Sequence, residues 1–193
     1  MKALVFVDLH EIEEGFRSLE SKAKEANIII GAGDYSVFGK NLKHIVERID
    51  RIGKPCYLIH GNHESIEEME KALKNCKNTE FIHSREVKFK DYKLIGWGGG
   101  GFEHVDKEFK KFAEGKEINQ KTIMLFHGPP LGTKLDEVDK DIHTGNKSYR
   151  EIIEEKQPLL VICGHIHQTA GEIDKIKKTT LINPGPEGVI LEL

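Results

Sequence analysis

The chain has 193 residues, a charged fraction of 32% and a net charge of −3. That length fits one domain, residues 1–193, able to bury roughly 70% of its unfolded surface, and the acidic balance argues against a nucleic-acid partner. Three cysteines without CxxC spacing argue against a disulfide framework; with no signal-peptide pattern and no apolar run of membrane-spanning length, a cytoplasmic protein is expected.

Residues 2–7 read as the first strand. A helix follows from Glu11 to about Ala26, with Ile12, Phe16, Leu19 and Ala23 on one face, and a second strand covers about Asn27–Gly31. Leu42, Ile45, Val46, Ile49 and Ile52 mark a second helix that stops before Gly53 and Pro55. The strand Cys56–Ile59 comes next, and Ser65 is the expected N-cap of a helix through Met69 and Leu73. This β-α-β-α-β-α order predicts parallel strands joined by right-handed crossovers.

The rhythm then changes to short strand-like segments, Glu80–His83, Val87–Phe89 and Lys93–Gly96, and the glycine run Gly98–Gly101. A charged helix is expected from Val105 to Glu114, then a strand Thr122–Phe126, a helix Ser148–Lys156 and a strand Leu159–Cys163. Two or three short strands complete the chain, with a turn at Asn183-Pro184-Gly185-Pro186. Residues 128–147 show no period; a loop of that length inside one domain reads as a lid or pocket wall, against a plain surface loop. The glycine run lacks the spacing of nucleotide loops and stays open between a substrate wall and a sharp turn. Lysines 175, 177 and 178 read as strand or turn residues that discourage edge pairing.

Five apolar strands each end in residues that bind hard or borderline metal ions: Asp8 and His10, Asp34, Asn62, His127, and His165 with His167. The set offers only oxygen and imidazole nitrogen, which suits Mn²⁺, Fe²⁺, Zn²⁺ or Co²⁺. Seven donors are too many for one tetrahedral site and suit two ions bridged by a carboxylate. Because alternate residues of an extended segment share a side, Asp8 with His10, and His165 with His167, are each expected to converge on a single cluster. His44, His60, His83, His104 and His143 read as ordinary surface or hydrogen-bonded histidines, Cys163 as a buried strand residue, and Lys134, Lys147 and Arg150 as solvated charges.

Taken in order, Asp8-Leu9-His10, Gly33-Asp34, Gly61-Asn62-His63-Glu64, His127 and Gly164-His165-Ile166-His167 resemble the signature blocks of the calcineurin-like metallophosphoesterase superfamily. Phe126-His127-Gly128-Pro129-Pro130 and Asn183-Pro184-Gly185 are similar to small prokaryotic phosphoesterases related to the cyclic-AMP phosphodiesterases. The resemblance implies a four-layer α/β/β/α sandwich of two mixed sheets flanked by helices. It implies two divalent ions, Mn²⁺ foremost and Fe²⁺, Zn²⁺, Co²⁺ or Ni²⁺ as alternatives, bridged by a hydroxide that attacks phosphorus. One ion falls to Asp8, His10, Asp34 and His167, the other to Asp34, Asn62, His127 and His165, and His63 protonates the leaving oxygen.

The implied substrate is small and phosphorylated, a diester in preference to a monoester, with cyclic nucleotides among the candidates. The alternative is a non-catalytic metal-binding scaffold on the same fold. One departure stands out: many members carry a second acidic or histidine residue after the Gly-Asp block, where this chain has Tyr35-Ser36-Val37-Phe38. Another group must therefore orient His63, and Glu64 is a candidate.

Overall fold

In the computed structural model, which describes all 193 residues, side chains alternate across the first strand, β1 (Lys2–Phe6). Leu4 and Phe6 face one way, and Ala3 and Val5 the other. The following elements are α1 (Glu13–Lys22), β2 (Ile28–Gly31), α2 (Leu42–Asp50), β3 (Cys56–Leu58), α3 (Ile66–Leu73) and β4 (Thr79–Phe81). β1 through β4 pair in parallel, as the alternation of strands and helices predicts. α3 starts at a capping box: the Ser65 hydroxyl accepts from the Glu68 N–H at 3.2 Å, and the Glu68 carboxylate accepts from the Ser65 N–H at 2.8 Å.

The second half holds β5 (Arg85–Phe89), β6 (Tyr92–Trp97), α4 (Lys107–Glu114), β7 (Thr122–Phe126), β8 (Glu137–Asp139), β9 (Ile142–His143), α5 (Lys147–Lys156) and β10 (Leu160–Ile162). A single turn of 3₁₀ helix, His167–Thr169, precedes β11 (Ile173–Ile176), β12 (Thr179–Ile182) and β13 (Val189–Glu192). One sheet runs β13-β1-β2-β3-β4, the other β11-β12-β10-β7-β6-β5, and antiparallel strands close three of the four edges. Lys175 lies on β11, an edge strand, where a charged side chain discourages pairing with another chain.

Three apolar layers hold four structural layers together. Leu4, Phe6, Ile29 and Leu58 pack on Phe16, Leu19, Val46 and Met69 of α1, α2 and α3. Val5 and Ile30 meet Ile123, Leu125 and Ile162 between the two sheets. Met124, Phe126 and Val161 pack on Phe109, Tyr149 and Ile153 of α4 and α5. This is the α/β/β/α sandwich. No helix is long and apolar enough to cross a membrane.

Two elements depart from the sequence reading for local reasons. α1 begins two residues late because Glu11 takes a left-handed φ of 62° and donates its N–H to the Tyr35 carbonyl at 3.2 Å. It ends early because Asn27 turns to the start of β1, exchanging backbone and side-chain hydrogen bonds with Lys2. Residues 128–147 are ordered around a polar hub instead of an apolar stripe. The buried Asp136 carboxylate accepts from the N–H groups of Gly132, Thr133 and Gly145 and contacts His143 Nδ1 at 2.9 Å. That hub carries the β8–β9 hairpin, and Arg150 braces it by donating to the carbonyls of Leu131 and Gly132.

Candidate metal centre

The carboxyl ends of β1, β2, β3, β7 and β10 open onto one rim, and the backbone there turns sharply. Asp8, His10, Asp34 and His165 all have left-handed φ, of 54°, 41°, 55° and 69°. Such a conformation costs a non-glycine residue about 1–3 kcal/mol and persists only where its surroundings enforce it. Here hydrogen bonds between strand ends enforce it: Asp8 N–H to the Gly33 carbonyl at 3.1 Å, and His10 N–H to the Asp34 carbonyl at 3.1 Å. A Cβ on Gly61 would lie 1.9 Å from Asp34 Oδ1, so only glycine lets the β3 loop approach the carboxylate.

These turns correct the expectation that Asp8 with His10, and His165 with His167, lie in extended segments. The two C-terminal histidines part company. His167 joins Asp8 and His10, whereas His165 joins Asp34 and His127. A third trio is His10, Asp34 and His63; in every trio the ligand atoms lie within 4.8 Å of one another. Asp34 therefore belongs to two trios, one on each side. Asn62 Oδ1 sits 2.9 Å from both His127 Nε2 and His165 Nδ1. His10 Nε2 and His167 Nε2 face each other at 3.1 Å. The seven donors singled out in the sequence thus form one continuous cluster.

Its electrostatics are those of a cation site. Asp8 is buried, and burial pushes its carboxyl up to about 7, despite His127 nearby and an N–H donated by His165 to Oδ2. Its Oδ1 is buried without a hydrogen-bond partner, an atom that a cation would satisfy. Burial would also raise Asp34, but the hydrogen bond and charge of His127, with the His63 N–H, outweigh it and hold Asp34 at about 2. His127 gives Nδ1–H to the Ala32 carbonyl at 3.0 Å and lies 3.3 Å from Asp34 Oδ2. Burial alone would lower it, yet that carboxylate pushes it up to about 9. His165 is pushed down to about 4 by burial and by His127, and His167 is lowered by burial and by His10. The set contains no thiolate; its oxygen and imidazole donors suit Mn²⁺, Fe²⁺ or Zn²⁺.

A linkage follows from the His127–Asp34 pair. With His127 raised to about 9, the metal-free protein at pH 7 carries a proton there that a bound ion must displace. Metal uptake is expected to release between one and two protons at pH 7, one from His127 and about half of one from Asp8, and apparent affinity to rise at least about tenfold per pH unit until His127 is deprotonated near pH 9. Calorimetry of Mn²⁺ binding in buffers of different ionisation enthalpy measures those protons directly; buffer-independent heats would count against the linkage.

His63 sits at the edge of the cluster, its Nε2 3.9 Å from Asp34 Oδ2. Its Nδ1 accepts the backbone N–H of Phe38 at 3.2 Å, and the Phe38 ring stacks on it with centroids 4.4 Å apart. Phe38, itself 79% exposed and in a left-handed turn, thus orients His63 in place of the missing acidic or histidine residue. Glu64 does not touch His63. It is buried and accepts from Asp34 N–H, Ser36 N–H, the Ser36 hydroxyl and Gly61 N–H, which tethers the β2 and β3 loops to each other. Phe38 lacked any signal in the sequence, because its contribution is a backbone N–H.

The glycine run forms a wall of the cluster. Gly99 N–H donates to the His60 carbonyl, and a Cβ on Gly101, where φ is +106°, would lie 2.7 Å from the His165 ring. Phe102 packs edge-on against His165 at 4.7 Å. His60 is buried beneath this wall and held far below its usual range, to about 3, by burial and by His83. His143 serves the Asp136 hub, His44 is exposed on α2 beside Glu47, and Cys163 is buried on α4 and α5.

The sequence model of the calcineurin-like phosphoesterase superfamily domain matches residues 1–189. An uncharacterized protein of Methanocaldococcus jannaschii is 29% identical over 97% of this chain and 89% of its own length. A protein of Arcobacter nitrofigilis described as a probable glycerophosphodiester phosphodiesterase is 22% identical over 97% of this chain and 74% of its own. The crystal structure of TT1561 from Thermus thermophilus superposes with a TM-score of 0.73 at 15% identity, covering 95% of this chain and 88% of that one.

Proposed function

The chain belongs to the calcineurin-like phosphoesterase superfamily, and from that premise we propose that it hydrolyses phosphodiesters, in preference to monoesters, with a pair of divalent ions. The observation that carries this reading is the shared carboxylate: Asp34 belongs to two trios, one with His10 and His63 and one with His127 and His165, and His10, 3.7 Å from Asp34 Oδ2, also belongs to the trio of Asp8 and His167. Asp8, His10, Asp34 and His167 would hold one ion, and Asp34, Asn62, His127 and His165 the other. Mn²⁺ is the first candidate. Two such ions offset phosphate charge and lower the pKa of coordinated water toward neutrality.

The chain's own residues supply the rest. The Asp34 carboxylate accepts the His63 backbone N–H at 2.9 Å, which ties the β3 loop to that carboxylate. Because His63 Nδ1 accepts a backbone N–H, its ring proton rests on Nε2, the nitrogen on the cluster side. His63 then donates Nε2–H to a phosphate oxygen and stabilises the charge that builds there. The Gly98–Gly101 wall packs close against the His165 ring. Preference for a diester agrees with the phosphodiesterase activity ascribed to the Arcobacter relative and with the apolar groove described below.

The test compares bis(4-nitrophenyl) phosphate with 4-nitrophenyl phosphate, using protein stripped of metal and reloaded with Mn²⁺. Turnover is expected only after reloading, with kcat/KM at least about tenfold higher for the diester. A loaded protein that turns over neither ester would be a scaffold, and equal rates would remove the diester preference.

A further inference from the structure

A groove of about 520 Å³ runs outward from the metal centre. Asp8, His10, His63 and His167 form its inner end, and Ile12, Ala170 and Pro186 its outer end. No lysine or arginine lines it. The outer residues come from three rigid places: the residue capping α1, the residue after the 3₁₀ turn, and the segment before β13, which the Val7 N–H ties to the Gly185 carbonyl at 3.2 Å.

Ile12 is the informative one. It occupies the N-cap of α1, with φ −68° and ψ 114° and no side-chain capping bond, where serine, threonine, asparagine or aspartate would stabilise the helix. Its side chain is instead 42% exposed over the groove. An apolar side chain that caps nothing, is partly exposed and lines a channel to the candidate metal ligands is placed to meet something apolar that is tethered to phosphate.

We infer that the outer end of this groove seats the uncharged, apolar alcohol part of a phosphate ester, an alkyl or aryl group, while the phosphate sits at the metal centre. This rests on the phosphoesterase reading above. It sets the substrate class apart from polyphosphates and sugar phosphates, whose charge or hydroxyl groups would find no donors on Ile12, Ala170 and Pro186.

The experiment uses phosphonates, which bind without being cleaved. Calorimetry with the Mn²⁺-loaded full chain measures Kd for methyl-, butyl-, phenyl- and 3-hydroxypropylphosphonate. Butyl and phenyl are expected to bind at least about tenfold more tightly than methyl, since each of the three added methylenes contributes up to about fourfold where it is fully removed from water, and hydroxypropyl to fall close to methyl. In Ile12→Ser the butyl-to-methyl ratio should collapse toward one; serine suits an N-cap, so the helix survives. Ala170→Asn should shrink the ratio in the same direction from the opposite wall.

A flat series, or a ratio kept in both variants, overturns the inference. A flat series in a protein that still hydrolyses nitrophenyl esters leaves the phosphoesterase reading standing. A steep series in a protein that hydrolyses nothing supports the groove and sinks that reading. Failure to bind any phosphonate overturns the inference, and the phosphoesterase reading falls with it only where hydrolysis of both nitrophenyl esters is absent as well.

Discussion

Asp34→Asn is expected to lower kcat/KM on a nitrophenyl diester by about 10³-fold or more, roughly 4 kcal/mol of transition-state stabilisation, and to strip metal from both halves of the centre. The reason is geometric. Asp34 is the one carboxylate that belongs to a trio on each side, and its oxygens also receive the His63 N–H and face His127. An amide of the same shape keeps a carbonyl oxygen for the His63 N–H but carries no charge to bridge two cations. The buried His127 also loses the carboxylate that holds its proton. Metal analysis after gel filtration should find two ions in the wild type and markedly reduced occupancy of both halves in the variant. Denaturation curves check that the fold survives. A variant retaining two ions and full activity would overturn the shared-carboxylate model. His167→Ala gives the contrast: it belongs to one trio only, so it should weaken one ion and spare the other.

His63→Ala carries the second large effect, about 10²–10³-fold on kcat/KM, the size seen when a single donor to a developing oxyanion is removed. The superfamily resemblance implies that this histidine protonates the leaving oxygen. The Phe38 N–H on its Nδ1 changes the expected pattern, because a ring that accepts there offers only a hydrogen bond through Nε2. A donor to a non-bridging phosphate oxygen helps all esters alike. A proton donor helps an alkoxide leaving group far more than a nitrophenolate, which departs unaided. The losses in His63→Ala on an alkyl diester and on bis(4-nitrophenyl) phosphate are therefore expected to agree within severalfold, with metal content unchanged. A loss at least about 10²-fold greater on the alkyl ester would restore the general-acid role. Loss of metal would place His63 among the ligands, as its trio with His10 and Asp34 would allow.

Much of the sandwich was legible because its signals are local. Runs such as Val5-Phe6-Val7 and Met124-Leu125-Phe126, short and followed by turn residues, read as buried strands, and the spacing of Leu42, Ile45, Val46 and Ile49 is that of one helix face. The N-cap at Ser65 directly precedes its helix, and the structure completes it with Glu68 into a capping box. The donor residues were visible for a related reason: a metal-binding side chain that directly follows a buried strand must emerge at the sheet's carboxyl edge. The β8–β9 hairpin was not visible, because the Asp136 hub that orders it works through hydrogen bonds to backbone N–H groups, which leave no period in the side chains.

What each donor does once it emerges depends on contacts between segments far apart in the chain. Asp8, His10 and Asp34 turn left-handed because strand ends hydrogen-bond to one another. His165 and His167, two residues apart, go to different trios because the backbone kinks at His165 and starts a 3₁₀ turn at His167. His63 faces the cluster because a peptide N–H 25 residues away meets its ring, and any residue type at position 38 except proline carries that N–H. The amino-acid sequence by itself therefore determined the layers and the set of chemical groups at their rim. Only the tertiary structure decided which groups come together in each trio, which way His63 points and where an apolar groove reaches the cluster. Backbone hydrogen bonds and left-handed turns are specified by the packing of the whole chain and not by the identity of the residues that make them.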